Sequence, residues 1–168
     1  MKLSAKKITL VGVLTAVSLT IYMVEAQFPT APIGGIKLGL ANVVTLAAML
    51  FADRLCAGIM LLLRIILASA FYGTLVSFAF SVTGGLFAYL AMCLLINRLD
   101  KKQIWAVSVT GGIFHNIGQI SVACFITGQG VAAALLPYLI ISGIATGLFT
   151  GLLAQRLWFS PLQKFKIN

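Results

Sequence analysis

The chain alternates long apolar runs with short polar or charged breaks. A helix crosses the ~30 Å hydrocarbon core of a bilayer in about 20 residues. Ile8 to Val24 makes a first run, followed by the proline- and glycine-rich link "EAQFPTAPIGGIK" (25–37). A second, from Leu38 to Ala52, is short for a span unless residues 33–37 also enter the interface, and Asp53-Arg54 closes it. From Leu55 to Ile96 Arg64 is the one charged residue, and the length suits two spans with a break in "SAFYGTLVS" at Tyr72-Gly73. "NRLDKKQ" (97–103) is a loop, Ile104 to Thr127 a fifth span, and "TGQG" turns the chain into a sixth from about Val131 to Gln155. The pattern predicts an all-α integral membrane protein, a single transmembrane domain over 1–168 built as a bundle of six helices.

Composition agrees. With 61% hydrophobic and 9% charged residues and a mean hydropathy of +1.09, too little polar surface exists to coat a water-soluble globule. The net charge of +9 is dispersed in small clusters, which speaks against a nucleic-acid surface and for membrane topology. With six spans, Lys2, Lys6, Lys7, Arg54, Arg98, Lys101, Lys102, Arg156, Lys164 and Lys166 all fall on one side, and Lys37 and Glu25 on the other. Since cytoplasmic loops concentrate Lys and Arg, both termini are predicted to be cytoplasmic. The first run is long for a signal-peptide core and several spans follow it, so it reads as a retained helix.

Against this apolar background the polar residues stand out. In "GIFHNIGQI" (112–120) His115 lies ~16 Å along the fifth span, near the bilayer midplane. At about 100° per residue, with His115 as zero, Ser108 falls at about 20°, Gln119 at about 40°, Gly112 at about 60° and Asn116 at about 100°. One arc thus carries the polar side chains, and the opposite face is Val109, Ile113, Phe114, Ile117 and Ile120. Arg64 is ~14 Å deep in the third span, where a guanidinium is costly. Its only acidic counterparts, Glu25, Asp53 and Asp100, are assigned to span ends, which leaves Arg64 to backbone carbonyls, water, polar side chains or an anionic ligand. Arg64, His115, Asn116 and Gln119 are therefore candidate ligand residues; the competing reading is that they bond helices together. Asn42 either lines the mouth of a pocket or caps a helix. Gly143, Gly147 and Gly151 recur every four residues, with Gly12 and Ala16 as a shorter version; such stripes let helices meet closely, within the bundle or against a partner.

Other chemistry is missing. Cys56, Cys93 and Cys124 have neither disulfide nor zinc-site spacing. No GxxxxGK[ST] loop is present for nucleotide hydrolysis, no two acids are paired for magnesium, and no nucleophile is set up for attack. The expectation is a protein without catalytic residues, metal or cofactor, which binds and passes a small solute.

"GGIKLGLANVVTLAAMLF" (34–51), "SVTGGLFAYLAM" (81–92) and "GGIFHNIGQISVA" (111–123) resemble, with their spacing, the bacterial Gx transporter family, also labelled heptaprenyl diphosphate synthase component I. The likeness covers essentially the whole chain, and HN-x-x-GQ is its most specific piece. That family is similar to the substrate-binding S components of energy-coupling factor (ECF) transporters, six-helix proteins of the bacterial cytoplasmic membrane that bind vitamins or cofactor precursors. The resemblance implies a separate membrane subunit and two ATPases as partners. It also implies docking to that subunit through Gly12 and Ala16, and a lid formed by "PTAPIGGIK" (29–37) over the substrate. The synthase label implies instead an accessory to prenyl diphosphate synthesis. The aspartate-rich motifs of such enzymes cannot be supplied by Asp53 and Asp100.

Overall fold

The computed structural model describes residues 4–27, 37–72 and 74–161. Six helices follow one another: α1 (Ala5–Ala26), α2 (Asn42–Phe51), α3 (Arg54–Tyr72), α4 (Leu75–Leu95), α5 (Ile104–Thr127) and α6 (Gln129–Trp158), with a 3-10 turn at Lys101–Gln103. The starts are fixed by side chains that satisfy orphan backbone donors. Ser4 Oγ accepts from Lys7 N–H, Thr74 Oγ1 from Ser77 N–H, and Asp53 Oδ1 from Cys56 N–H at 2.8 Å. Gly128, with φ +87°, supplies the left-handed residue on which α5 ends and α6 begins. Among the described residues, five helices are long and apolar enough to cross a membrane. Their outward apolar side chains, such as Val13, Ile66, Leu90, Phe125 and Phe149, are exposed and form the lipid-facing surface.

The second crossing differs from the helix expected over Leu38–Ala52. Only Asn42–Phe51 is helical, about 15 Å at 1.5 Å per residue, half the hydrocarbon thickness. Ahead of it the segment Lys37–Leu40 is non-helical. Because α2 is apolar all round, it sits inside the bundle and touches each of the other five helices. Val44, Leu46, Ala48, Met49 and Leu50 are buried with Cys56, Met60, Met92, Ile104, Val107 and Trp158 in the main core. A smaller core, Phe80, Ile120, Ala123 and Leu139, joins α4, α5 and α6.

The glycine stripe of α6 packs against α5. A Cβ added at Gly143 would lie 2.9 Å from Gly112 O, one at Gly147 2.7 Å from Val109 Cα, and one at Gly151 2.6 Å from Trp105 Cα. On the other side of α5, Gly118 meets the Thr83 carbonyl of α4, 2.7 Å from an added Cβ. Close backbone approach on two faces makes α5 the axis of the C-terminal half. Gly12 and Ala16 behave differently: both are exposed, and nothing lies within 4 Å of a Cβ at Gly12.

One end of the bundle collects the basic residues. The Lys7 ammonium pairs with Asp53 at 2.7 Å, and Lys101 Nζ lies 5.4 Å from the Trp158 ring centroid. These contacts bring the start of α1, the α2–α3 turn, the α4–α5 link and the end of α6 to the same face, as six crossings require.

Candidate functional site

The polar arc of α5 divides between two neighbours. Ser108 Oγ pairs with Thr150 Oγ1 at 2.9 Å, and Asn116 Nδ2 donates to the Leu139 carbonyl of α6. Those residues join α5 to α6, so Asn116 does not reach the site expected of it. His115 and Gln119, one turn apart, face α4 and α1 instead. Room for the imidazole comes from Gly84, where a Cβ would stand 2.8 Å from His115 Cε1.

Across this face runs the segment Lys37–Gly39. In a membrane, non-helical backbone persists only where protein satisfies its polar groups. Gln119 does this twice: Lys37 N–H donates to Oε1 at 3.0 Å, and Nε2 donates to the Lys37 carbonyl at 3.2 Å. Gly39 N–H donates to Glu25 Oε1 at 2.6 Å, Thr146 Oγ1 donates to the Leu38 carbonyl at 3.4 Å, and the Gly39 carbonyl accepts from Asn42 N–H at 3.0 Å. The second Nε2 hydrogen of Gln119 points at His115 Nε2. His115 is thereby assigned as the neutral tautomer protonated at Nδ1. Gly39 has φ +81°, and a Cβ there would lie 2.8 Å from His115 Cδ2, so only glycine passes so close to the imidazole.

These groups close around a small cavity lined by Tyr22, Glu25, Lys37, Gly39, Arg64, Ser81, His115 and Gln119, with a volume of about 10 Å³. That is room for about one water. Lys37 Nζ lies 3.5 Å from the Tyr22 ring centroid and donates to Ser77 Oγ at 3.1 Å. Arg64 is 4% exposed, its Cζ 6.0 Å from the same ring, and its Nε and Nη2 have no hydrogen-bond partner; neither has His115 Nδ1.

Glu25 corrects the expectation that no carboxylate approaches Arg64. It is not at a solvated span end but 4% exposed on the cavity wall, although no ion pair closer than 4.0 Å joins it to Arg64. Tyr22, Glu25 and Ser81 were not among the expected site residues, and Lys37 was expected only as the end of the lid. The signal for the first two lay in α1, whose buried stripe is Val11, Thr15, Ser18, Tyr22 and Glu25, polar from Thr15 onward at intervals of three and four. Asn42 is buried, with neither side-chain polar atom partnered. It is the first residue of α2 and does not cap it, since the cap position is Ala41. It stands beside Gly39, outside the cavity lining. Of the expected lid, residues 29–36 lie outside the described residues.

With His115 neutral, Arg64 and Lys37 against Glu25 leave the cavity one positive charge in excess. Such a fold and site define a multi-pass helical membrane protein with a closed, cationic polar chamber among its helices. The sequence matches the family described as heptaprenyl diphosphate synthase component I over residues 14–157, and the chain belongs to that family. No curated protein and no solved structure matches it.

Proposed function

We propose that the protein is a membrane-embedded substrate-binding subunit of a transporter, of the ECF S-component kind, for a small anionic metabolite related to vitamins, cofactors or isoprenoids. The observation that carries the reading is the buried Arg64 guanidinium, whose Nε and Nη2 are unpartnered on a cavity wall shared with His115 and Gln119. Leaving buried charged donors unmade costs far more than a surface ion pair returns, and a carboxylate or phosphate in the chamber satisfies both. The ligand takes the space that the Lys37 side chain and the Lys37–Gly39 backbone now occupy. Arg64 holds the anion, His115 lines the same wall, and Gln119 contributes once its bonds to Lys37 are released. In this reading the basic end faces the cytoplasm of a bacterial cell, and the open surface at Gly12 and Ala16 receives an ECF-type membrane subunit that carries the ATPases. The chain itself performs no catalysis.

The test is to purify wild type and Arg64→Ala in parallel, denature both, and identify released small molecules by mass spectrometry. Wild type is expected to release an anionic compound that the variant lacks, with binding weakened about 10- to 150-fold, the range of hydrogen bonds to charged groups. Arg64→Lys is expected to recover only part, because a point charge does not reproduce the planar fork. Identical compounds from two folded preparations refute the proposal. A second reading, favoured by the family description, makes the chain a non-catalytic membrane accessory of prenyl diphosphate synthesis. Co-purification of a soluble prenyltransferase rather than ATPases favours that one.

A further inference from the structure

A second concavity lies on the lipid-facing side of the bundle, apart from the polar chamber. It is a groove of about 440 Å³ between α4 and α5, lined by Phe87, Leu90, Ala91, Leu94, Leu95, Thr110 and Phe114 and ending at Arg98. Its floor is low because Ala91 and Thr110 are small, while Phe87, Leu90 and Leu94 on one wall and Phe114 on the other project outward and are 40–64% exposed. Thr110 adds no polar demand, since its hydroxyl is turned back onto the Ala106 carbonyl at 3.0 Å. An apolar occupant therefore leaves nothing unsatisfied.

Length and charge say which apolar occupant. From Phe87 to Leu95, the end of α4, the helix advances about 12 Å at 1.5 Å per residue, and Arg98 stands in the turn just beyond it, so the groove runs most of one leaflet of a ~30 Å hydrocarbon core. The groove closes on Arg98, at the basic end of the bundle. Arg98 is exposed and forms no ion pair among the described residues. Lys101, the next cation along, is turned away over Trp158. We infer that this groove is a binding site for one acyl chain of an anionic phospholipid from the leaflet at the basic end, with its phosphate held by Arg98. The apolar lining supplies affinity for any chain of leaflet length, and the guanidinium supplies preference for head groups of net negative charge.

The experiment uses the full chain reconstituted in mixed vesicles of phosphatidylglycerol and phosphatidylcholine, extracted in mild detergent, with retained lipid counted by native mass spectrometry. Wild type is expected to retain phosphatidylglycerol over phosphatidylcholine by about fivefold, the preference worth one juxtamembrane cation. Arg98→Gln, at an exposed position, is expected to bring the two lipids to parity while keeping total retention. Thr110→Leu, which fills the groove from α5, is expected to lower retention of both. A melting curve on each sample verifies that the variants are folded. Equal retention of the two lipids by wild type overturns the inference, as does a preference that survives Arg98→Gln. Recovery of a co-purified polyprenyl phosphate in place of phosphatidylglycerol overturns it too, by assigning the groove a different occupant.

Discussion

Replacing Gln119 with leucine is predicted to destabilise the protein more than replacing it with alanine, the reverse of the usual order for a buried site. Leucine keeps most of the side-chain volume, so Lys37 N–H and C=O lose both partners, His115 Nε2 loses its donor, and no water takes their place. From the two Lys37 groups alone, at about 1–3 kcal/mol for each unsatisfied buried group, the loss is about 2–6 kcal/mol. Alanine removes the same bonds but enlarges a cavity that already holds room for about one water. Water then bonds both groups, and the loss falls to about 1–2 kcal/mol for two neutral hydrogen bonds. The variants should differ by about 1–4 kcal/mol, or roughly 2–16 °C in melting temperature for a chain of this size. Cys56 is free and buried, whereas Cys93 and Cys124 are free and partly exposed, so in a Cys93→Ser, Cys124→Ser background a thiol-reactive dye that fluoresces on exposure reports melting in detergent. A leucine variant at least as stable as the alanine variant refutes the reasoning, because it means that the Lys37 backbone finds other partners when Gln119 is lost.

Two further outcomes are expected. Gly112→Ala and Gly147→Ala should each lower the melting temperature by several degrees, since the new methyls fall 2.4 Å from Gly143 O and 2.7 Å from Val109 Cα, while Gly12→Ala, with nothing within 4 Å, should not; equal melting of all three in detergent counts against the α5–α6 contact. The Lys7 ammonium, bonded to Asp53 at 2.7 Å, holds the Asp53 carboxyl below the usual carboxylate range. The contribution of this group is therefore complete above that range and lost as pH falls through the depressed value. Wild type and Asp53→Asn should differ by a small constant amount in melting temperature above the usual carboxylate range and converge as pH falls through the depressed value. A difference that persists at low pH contradicts the assignment.

Hydropathy alone located α1, α3, α4, α5 and α6 because each is a span-length apolar run between charged or glycine-containing breaks. It misjudged the second crossing, since Leu38–Leu40 are as apolar as a helix requires. What makes them non-helical is tertiary: Gln119, Glu25 and Thr146 offer their backbone other partners, from residues 14 to 108 positions away. The midplane polar cluster was legible for Arg64, His115 and Gln119, since such groups are costly in lipid wherever they fall. The angular reading separated Asn116 from His115 by about 100°, enough to send it to α6. Treating all of one arc as one site hid that division. Glu25 was misplaced because position along a span was taken for distance from solvent, whereas the Lys37–Gly39 segment folds back over it and closes it off.

The partners of Lys37 also bear on how the chain enters the membrane. A ten-residue helix is too short to be held in lipid as an independent span, yet α1 and α3 both start from the basic end, so the chain between them has to return before α3 enters. Gln119, which pairs the Lys37 backbone, is synthesised 82 residues later. Of the partners of this non-helical stretch, Glu25 of α1 is made before it and Gln119 of α5 well after it, so its backbone is fully paired only when the C-terminal half is in place.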